Sequence, residues 1–285
     1  MLSEGQYFIY LALLLMVLFS GSPEAQTTDP TVTLPRVLCW VTTFPTNHNT
    51  KAKAVKFTWG RRCDKILFMS SRADPNIDVT VLPVPDGRCN LWAKTKIALK
   101  YIYDQFLDEF DWFLKADDDT YVIMENLKFL LKCHKPEDPV YFGCKFIRYN
   151  QVYNSGGAGY VMSREALKIF IEKMLPNNAL CAQGTSGWED FNLGRCLTNG
   201  NVTVGDSRDE QGRGRFFPLV PELHLIPLPP TSWYWTHIYY RSKDGSESLS
   251  DQPISFHYVS FARMYEMEYL LYNVKLNLPG QYPTK

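Results

Sequence analysis

The sequence predicts an α/β fold organised on a parallel sheet, and three observations carry that prediction. Short apolar, β-rich runs alternate with amphipathic helical stretches. Strands separated by helices are joined by right-handed crossovers into a parallel sheet. One of those strands runs straight into an acidic cluster, where sheets of this kind place their ligands. Composition agrees: 285 residues, 45% hydrophobic and 14% aromatic, are ample for a buried core. That aromatic content and ordinary hydrophobicity, with 30 basic side chains balancing 30 acidic ones, exclude a disordered chain, and the zero net charge removes the usual electrostatic footprint of a nucleic-acid binder. No nucleic-acid partner is therefore expected. No glycine period or sustained heptad points to a fibrous protein, and a single long apolar run excludes a polytopic membrane protein.

Taken in order, Val37–Thr43 is the first strand, closed by Pro45. Lys51–Arg62 carries Ala52, Ala54, Val55 and Trp59 at helical spacing. Ile66–Met69 and Val79–Val84 supply two more strands, the second ended by Pro85-Asp86-Gly87. Asn90–Phe110 reads as a long helix with Leu91, Ile97, Ala98, Ile102 and Phe106 on one side, and Trp112–Leu114 as the strand that meets Asp117-Asp118-Asp119. Beyond Tyr121 the pattern is mixed. A strand at Val140–Cys144 precedes a glycine-rich turn, Asn154–Tyr160, that leads into Val161-Met162. Helices are expected at Arg164–Met174 and Trp188–Leu197, an irregular loop from Pro218 to Trp235, a strand at Pro253–Val259 and a last helix at Tyr265–Tyr272. The expectation is one continuous domain, a nucleotide-binding half followed by an acceptor-binding half.

Ahead of it the chain divides into a short tail (1–6), an apolar segment (7–20) and a polar, Pro- and Thr-bearing stem (21–35) before a domain spanning 36–285. The apolar segment is short for a bilayer span and fits a signal anchor and a cleaved signal peptide alike. Either directs the chain into the secretory pathway. The 7 cysteines, with no C-x-x-C pair, fit an oxidising lumen better than a zinc site. Asn201-Val202-Thr203 is a glycosylation sequon usable in that compartment.

The chemistry concentrates in a few places. Three consecutive aspartates at a strand end are costly unless a cation sits among them. Carboxylate oxygens are hard ligands, suited to Mg²⁺ or Mn²⁺ holding a nucleotide diphosphate. Glu189-Asp190 opens a helix after a glycine-bearing loop; helix capping explains such a pair, and so does a general base at a cleft. His257 lies in an apolar strand, where a histidine is most often a satisfied packing residue, yet a neutral imidazole would complete a Mn²⁺ shell. The aromatics of Ser232-Trp233-Tyr234-Trp235 suit a core or the C–H face of a sugar.

Together these segments resemble the core 1 β1,3-galactosyltransferase family, the enzymes that extend GalNAc on Ser/Thr of mucin-type glycoproteins. The resemblance runs over residues 37–274. It is carried by Val37–Val41, Leu67–Ser71, Asp111–Tyr121, Ser155–Val161, Glu189-Asp190, Leu193–Cys196, Gly205–Asp209 and Ser255–Val259. It implies a GT-A type fold: a Rossmann-like nucleotide-binding half with a central mixed sheet, plus an acceptor-binding half. It also implies UDP-galactose as donor, Mn²⁺ as cofactor, inversion at the anomeric carbon, and a single-pass type II protein of the Golgi membrane anchored by its N-terminal segment. Asp117 and Asp119 match the family's acidic motif, with Asp119 a metal ligand and Asp117 near both ribose and metal. His257 matches the remaining protein ligand, and Tyr258 lies beside the nucleotide. Met69, Gly87, Arg88 and Lys94 match positions lining the UDP pocket. Trp233 matches an acceptor-side aromatic, and Asp190 the base that takes the proton from the GalNAc O3, a role Glu189 could exchange with it.

GalNAc-bearing glycoproteins are the implied acceptors, with a homodimer and a dedicated chaperone left open. Cys39–Cys63 and Cys181–Cys196 are the implied bridges, while Cys89, Cys133 and Cys144 lack partners. Where the family pattern carries paired cysteines near Asp244–Ser250, this chain has Lys243-Asp244-Gly245-Ser246-Glu247. The competing readings are a sibling β1,3-glycosyltransferase, a non-catalytic chaperone-like homologue and a secreted carbohydrate-binding protein. The chaperone lacks the acidic motif that this chain keeps.

Overall fold

Seven strands build the main sheet: β1 (Val37–Thr42), β2 (Lys65–Ser70), β3 (Val79–Val81), β4 (Trp112–Asp117), β6 (Val140–Gly143), β9 (Tyr160–Ser163) and β10 (Thr203–Val204). Their order across the sheet is β10-β6-β9-β4-β1-β2-β3. The computed structural model describes residues 34–241 and 243–276. The predicted tail and apolar segment, and the stem up to residue 33, lie outside the described residues. Among the described residues no helix is long and apolar enough to cross a membrane.

The first half is parallel as expected: β1 pairs with β2 and with β4, and β2 with β3. Beyond β4 the sheet becomes mixed, as the family resemblance implies, because β9 enters antiparallel between β4 and β6. Every residue of β1 is buried, which is what a central strand covered on both faces requires. One face packs Trp59, Trp112, Leu127 and Phe142; the other packs Trp40, Trp92, Leu99 and Phe113.

Several predicted elements are shorter than expected. Lys51–Arg62 is not one helix: a π turn (His48–Ala52), a short helix α1 (Lys53–Phe57) and a 3₁₀ turn (Trp59–Arg62) share it, broken at Thr58. The long helix α2 (Leu91–Phe106) stops four residues early, and α3 (Met124–Leu131) follows β5 (Tyr121–Val122). Arg164–Met174 divides into α4 (Arg164–Ile169) and a π turn, and α5 runs Glu189–Asn199. The stretch from Pro218 to Trp235, expected to be irregular, holds a short helix α6 (Pro221–Leu225) and the start of α7 (Tyr234–His237). The last helix, α8, spans Phe261–Tyr272.

Two small sheets complete the domain. A hairpin of β7 (Lys145–Arg148) and β8 (Gln151–Asn154) follows β6. The expected strand Pro253–Val259 contracts to β12 (Ser255–Phe256), which lies between β11 (Phe216–Phe217) and β5. Its antiparallel register sets Phe256 opposite Tyr121, and the Val259 N–H then donates to the Asp119 carbonyl at 2.9 Å. That clasp carries residue 257 to the acidic cluster. Both expected disulfides are present, Cys39–Cys63 and Cys181–Cys196; Cys89, Cys133 and Cys144 are free.

Candidate active site

The chain runs outward from β1 to β3 and then returns to the other side of β1 as β4, so the strand order switches between β1 and β4. A crevice opens beyond the strand ends at such a point. Here Thr42 ends β1 opposite Asp117 at the end of β4, and the Thr42 hydroxyl donates to Asp117 Oδ1 at 2.7 Å. The cleft above them has a volume of about 430 Å³.

Asp117, Asp119 and His257 bring one ligand atom each to within 4.8 Å of one another. His257 Nε2 lies 3.2 Å from Asp119 Oδ1 and 3.7 Å from Asp117 Oδ2. Gly157 makes room for that imidazole: a Cβ there would collide with the ring. Tyr258, half-exposed, is held with φ +59 and packs its ring 3.9 Å from that of His257. A bulky residue in the left-handed region is backbone strain, the kind retained at ligand-binding sites.

The three aspartates part company in environment. Burial opposes ionisation of Asp119, but His257 and the Lys51 ammonium, 2.9 Å away, outweigh it and hold the carboxyl well below its ordinary range. Asp118 turns to the loop after β1, accepting from Thr43 Oγ1 at 2.7 Å and Asn47 Nδ2 at 2.9 Å, and burial pushes it up to about 6. Asp117 accepts from Thr42 and, at 2.7 Å, from Lys115 Nζ. Burial alone would lower the Lys115 ammonium, but Asp117 and Glu189 reverse that and raise it.

Glu189 and Asp190 face the same cleft from the first turn of α5. Glu189 is buried; its Oε1 accepts from Thr95 Oγ1 at 3.0 Å and Tyr160 OH at 2.7 Å, and desolvation pushes it up to about 7. Asp190 accepts from the N–H groups of Gly156 at 2.9 Å and Phe191 at 2.8 Å, and burial raises it as well. Gly156 is tightly enclosed: a Cβ there would meet Glu189 Oε2 at 2.8 Å. The glycine-rich turn is thus where carboxylate pair and acidic motif approach each other.

Of the remaining predicted residues, Arg88 lines the cleft. Gly87 forms the turn before it with φ +121. Met69 and Lys94 are buried and do not line the cleft. Met69 is fully buried with its carbonyl bonded to Thr43 N–H, and Lys94 Nζ donates to the Thr43 carbonyl at 2.9 Å. Trp233 stands apart, at the start of α7, packed edge-on to Phe146 at 6.1 Å. Sequence reasoning passed over Lys51, Thr95, Lys115 and Tyr160. Lys115 carries a usable signal, since a lysine inside an apolar strand two residues before an aspartate needs a buried partner.

A strand-end acidic motif joined to a histidine, sharing one cleft of an α/β sheet with a carboxylate pair, is the layout of a glycosyltransferase, and sequence comparison agrees. The chain belongs to the Fringe-like family, whose model matches residues 32–207, and within it to the core 1 β1,3-galactosyltransferases. It is 45% identical over 244 residues to the glycoprotein-N-acetylgalactosamine 3-beta-galactosyltransferase 1 of Xenopus laevis, a match covering 84% of this chain and 67% of that protein. A beta-1,3-glucosyltransferase of Mus musculus is 28% identical over 187 residues, 64% of this chain and 37% of its own. The solved galactosyltransferase LgtC, in complex with donor and acceptor sugar analogs, superimposes with a TM-score of 0.44 at 11% identity, covering 84% of this chain and 97% of that one.

Proposed function

We propose that the protein transfers galactose from UDP-galactose to O3 of GalNAc linked to Ser or Thr of glycoproteins, inverting the anomeric centre with Mn²⁺ as cofactor. One observation carries the reading: a ligand triad and a candidate base share one cleft, linked through Lys115, which donates to Asp117 Oδ1 and to the Gly156 carbonyl at 3.0 Å, while the Gly156 N–H holds Asp190. Asp117, Asp119 and His257 would hold the cation. Two carboxylate oxygens and one imidazole nitrogen suit Mn²⁺, which takes nitrogen more readily than Mg²⁺. When bound, the cation offsets the negative charge that builds on the departing diphosphate.

The chain's own residues do the rest. As the acceptor O3 forms its bond to C1 and the bond from C1 to the diphosphate oxygen breaks, Asp190 accepts the O3 proton. Each of its oxygens takes one backbone N–H and retains a lone pair for that proton. Glu189 is less free, with Oε1 committed to two hydroxyls, and its part is to brace the floor of the cleft. Trp233 is read as an acceptor-side aromatic, and Arg88, Met69, Gly87, Lys94 and Tyr258 as the surroundings of the nucleotide. The size of the cleft suits a nucleotide sugar. Lumenal action in the Golgi is supported by the two disulfides, which suit an oxidising compartment.

The test is UDP release by the full chain given UDP-galactose, Mn²⁺ and a GalNAc-Thr peptide, beside Asp119→Ala. Release that needs peptide and Mn²⁺ and is lost in the variant is expected. Folded protein inactive across donor and acceptor panels would overturn the proposal.

A further inference from the structure

The tip of the β7–β8 hairpin holds a feature that the transfer reaction as described does not use. Arg148 pairs with Gln151, so Tyr149 and Asn150 form a two-residue loop, with φ +49 and φ +59. Such a turn needs positive φ at both positions and favours Asn and Gly there. Asn150 obeys this rule and Tyr149 does not, although a smaller residue would relieve the strain. The strain has a beneficiary: the Tyr149 ring, 76% exposed, lies parallel to that of Trp188 within 5° at 6.3 Å. Phe191 stands edge-on beneath both rings. Trp188 lines the cleft and directly precedes Glu189 and Asp190.

Arg148 completes the group. Its guanidinium lies 4.4 Å from the Trp188 ring centroid and 5.2 Å from that of Tyr149. Its Nη1 donates to His237 Nε2 at 2.9 Å. Because arginine cannot accept, Nε2 is the acceptor, and Nδ1 carries the proton that it donates to the Trp233 carbonyl at 2.9 Å. The hairpin tip is thereby tied to the segment bearing Trp233. Among the described residues no carboxylate pairs with Arg148.

We infer that Arg148, Tyr149 and Trp188 form a specificity subsite for the polypeptide around the sugar-bearing residue, favouring an acidic side chain there. This rests on the proposed transfer to a GalNAc-bearing peptide. The rings offer an exposed apolar surface continuous with the cleft, and the guanidinium, which no carboxylate neutralises among the described residues, supplies charge that a carboxylate would complement.

The experiment compares kcat/KM for GalNAc-Thr peptides carrying Glu or Lys within two residues of the glycosylated Thr, with GalNAc-α-benzyl as a peptide-free acceptor. The wild-type chain is expected to prefer the Glu peptide about tenfold, less so at high salt. Arg148→Gln brings that ratio near one, and Arg148→Lys restores part of it. Tyr149→Gly, which suits the left-handed turn and should keep the melting temperature, lowers kcat/KM on peptides about fivefold more than on GalNAc-α-benzyl, through KM. A wild-type ratio near one, or equal losses on all acceptors in either variant, overturns the subsite while leaving the transferase reading standing. Failure to use any of the acceptors, GalNAc-α-benzyl included, overturns that reading and the subsite with it.

Discussion

Lys115 Nζ lies 2.7 Å from Asp117 Oδ1, so the cation paired with the first aspartate of the acidic motif comes from two residues earlier in the same strand. The pair also reaches the Gly156 carbonyl, which makes Lys115 the strut between motif and glycine-rich turn. Replacing it with Met leaves a carboxylate without its partner. With Asp117 partly open to the cleft, a loss of roughly 2–3 kcal/mol in urea unfolding is expected, together with weaker UDP binding.

Gly157 is required by what faces it rather than by its own backbone. In Gly157→Ala the new methyl collides with His257, so the ring must turn from Asp119. Calorimetric titration should show Mn²⁺ bound about 10–100-fold more weakly, with the melting temperature little changed in the absence of metal.

Glu189 gives stability a pH dependence whose sign follows from burial. Its folded value of about 7 stands above its ordinary value of 4.5, so the folded state holds the proton more tightly than the unfolded chain. This contribution is full below the ordinary value and is lost as pH rises through about 7. Glu189→Gln keeps an oxygen for Thr95 and Tyr160 and removes the titration. Its stability relative to wild type should grow between pH 5 and 8, approaching ~3 kcal/mol, as read from denaturant melts across that range.

The Cys181–Cys196 bridge spans 15 residues, and that span contains the whole loop leading to Asp190. Replacing both cysteines by Ser should cost roughly 3 kcal/mol, measured by thermal unfolding. Transfer should fall more than UDP binding does, because the loop positions Asp190 and Trp188 rather than the ligand triad.

How much of this was legible in the sequence depended on how local its cause is. The end of β4 could be read because an apolar run meets its acids within a few residues. The first three strands were equally accessible as short apolar runs, whereas the two bridges came from the family resemblance and the order of strands across the sheet came only from the structure. The strand around His257 was legible, but its residues left the imidazole open between packing and metal binding, because what carries it to the acidic cluster is the pairing of Ser255–Phe256 with the distant Tyr121–Val122. The hairpin of β7 and β8 escaped notice because its turn is Tyr-Asn instead of a glycine-bearing pair. Lys51–Arg62 read as a helix because apolar spacing does not reveal that Thr58 leaves helical geometry, with φ −113 and ψ −118.

In the proposed galactosyl transfer, Asp190 takes the proton from the acceptor. The most direct measurement is single-turnover transfer from UDP-galactose to a GalNAc-Thr peptide by wild type, Asp190→Asn and Glu189→Gln, with UDP affinity measured alongside. Asp190→Asn is expected to lose about 10²–10⁴-fold in rate with UDP binding retained, and Glu189→Gln far less. Transfer by Asp190→Asn at close to the wild-type rate would contradict it.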